Sequence, residues 1–114
     1  RALARIYGAL ACGGALDGVQ VLNQNLLKQA TAVASEGIDR VFGFHNCIGL
    51  GFGLNRPAGF MGPHETAFGH GGYGGSLGFA DPTAGIGFGF VTNGIAPAKD
   101  KRTANLLRAL YQLL

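Results

Sequence analysis

Charge and cysteine are both scarce in this 114-residue sequence, and each scarcity removes a class of function. Asp, Glu, Lys and Arg together make up 13% of the residues, with a formal net charge of +3. Arg1, Arg5, Lys28, Arg40 and Arg56 are scattered, and the cluster Lys99, Lys101, Arg102 and Arg108 has the spacing of a solvated helix start. Groove-binding proteins concentrate basic residues on one face, so no nucleic-acid partner is indicated. The two cysteines, Cys12 and Cys47, stand far apart without Cys-x-x-Cys spacing, which indicates neither a disulfide framework nor a zinc site. His45 and Cys47 would share one face of a strand, but no third and fourth ligands stand at ligand-like spacing, and no metal is assigned. No apolar run reaches the ~18 residues of a membrane span and no signal peptide is visible, which leaves the compartment open. A Gly-Lys-Ser/Thr phosphate loop is also absent.

What is present is apolar and rich in glycine: 47% of the residues are hydrophobic and 21 are glycine. That is ample for one core but leaves a thin solvated surface for a free-standing domain. The chain starts at Arg1 with an apolar helical pattern under way by Leu3, and both features are expected of a piece of a larger unit or a cleaved subunit. Leu3, Ile6, Tyr7 and Leu10 recur at helical spacing until Gly13-Gly14, which predicts a first helix ending near Cys12. After the turn Leu16-Asp17-Gly18, Asn23 can cap a second helix with Leu26, Leu27, Ala30 and Val33 buried, ending at Gly37.

Beyond Asp39 the period becomes alternating. Val41 to Phe44 reads as a brief strand, and Ile48, Leu50, Phe52 and Leu54 alternate with Gly49, Gly51 and Gly53 as another. Ile86, Phe88 and Phe90 alternate with Gly85, Gly87 and Gly89, and the turn Asp81-Pro82-Thr83-Ala84 joins that strand to Ser76–Ala80 as a hairpin. Glycine weakens a strand by roughly 0.5–1 kcal/mol per position, so the two bare glycine faces need a reason. Either a helix approaches closely or a ligand does. The candidate helix is the last element, running from about Lys99 with Leu106, Leu107, Leu110, Leu113 and Leu114 on one side. The expected fold class is therefore α+β: a helical segment over 1–37, antiparallel strands over 38–93 and a carboxy-terminal helix over 94–114. The long connection from Asn55 to Thr66, with an exposed-looking Phe60-Met61 pair, is either variable surface or a substrate contact.

The densest signal is Phe68-Gly69-His70-Gly71-Gly72-Tyr73-Gly74-Gly75-Ser76. Gly69, Gly71 and Gly74 satisfy Gly-x-Gly-x-x-Gly, but a dinucleotide fingerprint opens a helix and this stretch leads into another strand. His70-Gly71-Gly72 resembles instead the Lys/His-Thr/Ser/Gly-Gly third motif of the serine β-lactamase and penicillin-binding-protein family, which includes esterases and D-peptidases. The resemblance extends to Ala4–Ala11 with Gly13-Gly14 and Leu16-Asp17-Gly18, to Gly78-Phe79-Ala80-Asp81-Pro82, to Gly87 through Asn93, and to the closing helix.

That resemblance implies the carboxy-terminal part of a β-lactamase/transpeptidase-like fold, whose partner is the amino-terminal part of the same domain. It implies acyl transfer without a cofactor on a small ester, amide or β-lactam: a serine attacks the carbonyl, a lysine and a tyrosine move protons, and two backbone N–H groups hold the oxyanion. The N–H after the motif's last glycine, Tyr73, would be one donor. Gly71, Gly72 and Gly74 would let substrate lie along the strand. His70 stands where many β-lactamases have lysine, trading a permanent charge for one that fades near neutral pH. It would hydrogen-bond the tyrosine of the second motif or an acidic substrate group, or simply be satisfied within the sheet. No Ser-x-x-Lys occurs, since Ser35 and Ser76 lack the lysine, and no Tyr-x-Asn/Ser surrounds Tyr7, Tyr73 or Tyr111. This polypeptide alone is therefore not expected to turn over substrate. The alternative is a homologue that uses the same cleft for binding or scaffolding, or a self-contained glycine-rich binding module.

Overall fold

The computed structural model describes residues 1–95 and 101–114, and the elements run in the order α1 (Ala2–Ala11), β1 (Ala15–Leu16), β2 (Val19–Gln20), α2 (Gln24–Ala30), β3 (Ser35–Ile38), β4 (His45–Ile48), β5 (Gly53–Leu54), β6 (Phe68–Gly71), β7 (Leu77–Asp81), β8 (Ile86–Phe90) and α3 (Arg102–Tyr111). Strands β3 to β8 form one sheet in chain order, every pair antiparallel. β1 and β2 make a separate small hairpin around Asp17 and Gly18. The α+β expectation holds. Lys99, where the sequence places the start of the last helix, lies outside the described residues, and Gly94 and Ile95 are irregular.

Which helix covers the glycines differs from the sequence reading. On the Gly87 and Gly89 face it is α1, not α3: a Cβ at Gly87 would run into the backbone of Gly8, one at Gly89 would fall 2.8 Å from Ala4 N, and on the neighbouring β7 one at Gly78 would fall 2.6 Å from Tyr7 Cε2. On the earlier run neither helix is the neighbour: a Cβ at Gly49 would meet the Ala30 carbonyl, one at Gly53 would fall 3.2 Å from Gly69 O, and one at Gly51 would meet nothing within 4 Å. The reason α1 fits against Gly87 and Gly89 is reciprocal smallness. Ala4 and Gly8 on α1 let two backbones approach, whereas the leucines of α3 need depth. α3 therefore takes the opposite face, where Leu107 packs with Leu77, Phe79, Ala67 and Met61, and Phe88 and Tyr111 flank them. A second core on the α1 side joins Leu10, Ala11, Leu27, Cys47, Leu54, Phe68 and Ala80. Met61 is buried at 4% exposure, so only Phe60 of the Phe60-Met61 pair is open.

Three further boundaries move. Asn23 does cap α2, its Oδ1 accepting from Leu26 N at 2.8 Å. The helix nonetheless stops at Ala30, whose carbonyl accepts from Leu50 N, and Ser35–Ile38 pairs with β4 as a strand; Leu26 and Val33 are exposed. Val41–Phe44 is a turn, because Asp39 Oδ1 accepts from Val41 N and Phe42 N at 2.8 and 2.9 Å and reverses the chain. The Ile48–Leu54 alternation folds on itself as the end of β4, a turn closed by Gly49 N to Phe52 O, and β5.

Candidate active site

The stretch from His70 to Ser76 sits where the sheet loses one neighbour. β6 pairs with β5 only through Gly53↔Gly69 and Leu54↔Phe68, while its pairing with β7 continues through Gly71↔Leu77. From His70 onward the border away from β7 is thus unpaired among the described residues. Gly72 N donates to Ser76 O at 2.7 Å and Gly75 N to Gly72 O at 3.2 Å, so the ladder closes in a tight turn. The regular strand ends at Gly71, and Tyr73 stands at the turn's tip rather than within the strand. Gly74 and Gly75 take φ of 96° and 98°, a region that a side chain would resist.

The tip is tied down from two sides. Thr103 Oγ1 of α3 donates to Gly75 O, Thr92 Oγ1 donates to Gly74 O at 3.5 Å, and Thr92 N donates to Ser76 Oγ at 3.2 Å. Tyr73 is 95% exposed, and its N–H meets no acceptor among the described residues. His70 is exposed, with Nδ1 2.6 Å from the carbonyl oxygen of Gly71. A carbonyl only accepts, so Nδ1 carries the hydrogen and Nε2 presents a lone pair when the ring is neutral. Gly71 lies under Phe60, and a Cβ there would fall 2.9 Å from Phe60 Cζ. Beyond Phe60 opens a cleft of about 670 Å³ between the 55–66 loop, the hairpin tip and α3, lined by Phe60, Pro63, Ser76, Leu107, Arg108 and Tyr111 among others.

The loop is held by groups that the sequence reading did not single out. Asn55 is buried; its Nδ2 donates to the carbonyls of Gly62 and His64, both at 2.9 Å, and its Oδ1 accepts from Met61 N at 3.0 Å. Asp81 is wholly buried at the end of β7. Its Oδ2 accepts from Tyr111 OH at 2.6 Å and from His64 Nδ1 at 2.7 Å, and its Oδ1 accepts from Thr83 N and Ala84 N. Burial by itself would raise the Asp81 carboxyl, but the hydrogen bonds from Tyr111, His64 and the Ala84 N–H outweigh it and hold the group below the usual carboxylate range. Burial and then the adjacent carboxylate push the Tyr111 phenol well above its usual value, so it stays a donor. Asp81 was legible as a turn residue. Nothing in spacing joined it to His64 or Tyr111.

An open strand border ending in His-Gly-Gly, a glycine turn whose Tyr73 N–H meets no acceptor among the described residues, and helices on both faces of an antiparallel sheet are the arrangement expected of the carboxy-terminal part of a β-lactamase/transpeptidase-like fold. The comparisons agree. The family model described as Beta-lactamase matches residues 1–113, and the chain belongs to that family. It is 38% identical over 94 residues to the esterase/β-lactamase LipL of Mycobacterium tuberculosis, covering 82% of this chain and 21% of that protein. Among solved structures, a penicillin-binding-protein homologue from Caulobacter crescentus is 43% identical with a TM-score of 0.93, covering 99% of this chain and 31% of that one. A family VIII carboxylesterase is 38% identical with a TM-score of 0.93, covering all of this chain and 31% of its own. The chain thus corresponds to a part, between about a fifth and a third, of these β-lactamase-like relatives. Among the described residues, no helix is long and apolar enough to cross a membrane.

Proposed function

We propose that this chain supplies one wall of a serine-hydrolase active site, with the Tyr73 N–H as one of two oxyanion donors. The nucleophilic serine, its lysine and the second-motif tyrosine would come from the remainder of the fold. The reaction is acyl transfer from a small ester, amide or β-lactam, of the carboxylesterase, D-peptidase or β-lactamase type. One observation carries this: the amide immediately after His70-Gly71-Gly72 has no acceptor among the described residues, belongs to the exposed Tyr73, and sits on a turn fastened by Thr92 and Thr103. A donor of that kind needs no reorganisation when charge develops on the substrate oxygen. Substrate would lie along Gly71 and Gly72, whose lack of side chains leaves the border accessible, with Gly74 shaping the tip. His70, through Nε2, would accept a hydrogen bond from the second-motif tyrosine or, when charged, donate to an acidic substrate group.

The test uses the complete protein and a chromogenic ester. Tyr73→Ala keeps the amide, and kcat is expected to stay within a few-fold. Tyr73→Pro removes that N–H at a residue that does not take a positive φ and whose amide meets no other acceptor among the described residues. Its kcat is expected to fall by about 10²–10³. Equal, mild losses in both variants would remove Tyr73 from the oxyanion site.

A further inference from the structure

The 55–66 loop reaches the motif strand through Phe60. Its ring stands against Gly71 on the face that carries Leu77, remains 63% exposed, and forms part of the cleft wall toward Leu107 and Tyr111. A group bound along Gly71 and Gly72 therefore meets the Phe60 ring before it meets the cleft. The ring's position is not set by its own burial. It is set by the loop, which Asn55 braces from within and which His64 fastens to Asp81. The same Asp81 oxygen takes the Tyr111 hydroxyl, and the Tyr111 ring presses on Gly62, two residues after Phe60. One wholly buried carboxylate thus joins loop, sheet and α3, the three walls of the cleft.

We propose that Phe60 is the specificity-determining residue that limits the size of the acyl group admitted beside the His70–Gly72 strand, and that Asp81, acting through His64 and Tyr111, is the positioning residue that keeps it there. This rests on the hydrolase reading above. With the ring in place, the strand surface is separated from the cleft and short acyl groups are preferred. With the ring removed, the two spaces join and a longer chain can follow the apolar wall formed by Leu107 and Tyr111.

The experiment is a series of p-nitrophenyl esters from acetate to octanoate, assayed with the complete protein. The readout is the octanoate-to-acetate ratio of kcat/KM, in which loss of folded enzyme cancels. Phe60→Ala should raise the ratio about tenfold or more, since each methylene fitted into an apolar pocket contributes about that order of discrimination, and Phe60→Trp should lower it. Asp81→Asn, close in size, should raise the ratio in the same direction. The double variant Phe60→Ala/Asp81→Asn should match Phe60→Ala alone. Should Asp81→Asn prove too unstable to assay, Tyr111→Phe removes one arm of the tether while keeping the ring, and the same direction is expected. A ratio unchanged within twofold in both Phe60 variants overturns the assignment of Phe60. Equal losses on all esters for Asp81→Asn or Tyr111→Phe overturn the positioning role. A wild-type protein inert toward every ester and toward a chromogenic cephalosporin would sink the hydrolase reading, and this inference with it.

Discussion

Asp81 is the residue whose chemistry reaches furthest. A buried carboxylate with four donors is stabilising only while all four remain, so truncation leaves His64, Tyr111 and two backbone amides without their acceptor. Asp81→Ala is expected to cost about 3 kcal/mol, measured by urea unfolding, against a smaller loss for Asp81→Asn. The pH dependence follows from the two shifts. The Asp81 carboxyl is lowered in the folded state, so its contribution is complete above about pH 4 and is lost as pH falls through the folded value. The Tyr111 phenol is raised, so stability is also lost as pH climbs past about 10, where the unfolded chain releases a proton that the folded one keeps. Urea midpoints should fall on the acid and the alkaline side, and Asp81→Asn should flatten the acid-side fall. At this scale His70, Gly71, Gly72 and Tyr73 were readable as a motif with implied roles. His64 and Tyr111 were not, because a hydrogen bond spanning 17 or 30 residues leaves no local periodicity, and Asn55 was not, because its bonds lie within an irregular loop that has no period.

At the scale of elements, packing decided what periodicity left open. Alternating glycines predict close approach but do not name the visitor, and for Gly87 and Gly89 the visitor is α1, admitted by Ala4 and Gly8. Gly87→Ala should therefore drive its new methyl into the Gly8 backbone and lower stability by about 1–3 kcal/mol. Gly94→Ala, which meets open space and no positive φ, serves as the control with little change expected in the urea midpoint. α1 itself and the Asn23 cap were legible, because a helix end writes its signals within four residues. The division of the second alternating run into β4, a turn and β5 was not, since a glycine that continues a strand and one that turns it are the same letter.

The whole molecule is compact, with a radius of gyration of 13.9 Å against about 13 Å expected for a domain of this length, yet it leaves large apolar side chains uncovered. Ile38, Val41, Phe42 and Phe44 crowd the β3–β4 hairpin, Leu113 and Leu114 end the chain, and β3 and β8 each have one unpaired edge among the described residues. Such edges recruit other strands. The 114-residue chain studied alone is expected to self-associate in light scattering. Co-expressed with the rest of the fold its relatives carry, it should become monodisperse and gain hydrolytic activity. A stable, monomeric isolated chain with no gain on reconstitution would favour the self-contained binding module instead.

By itself the sequence determined the composition of the fold, its switch from helical to alternating period, and the His-Gly-Gly-Tyr stretch, because each is written in spacings of a few residues. Only the tertiary structure decided that α1 rather than α3 covers Gly87 and Gly89, that Asp81 joins His64 to Tyr111, and that Phe60 stands over Gly71. Those are contacts between distant segments, chosen by which surfaces fit with the least void and the fewest unsatisfied polar groups.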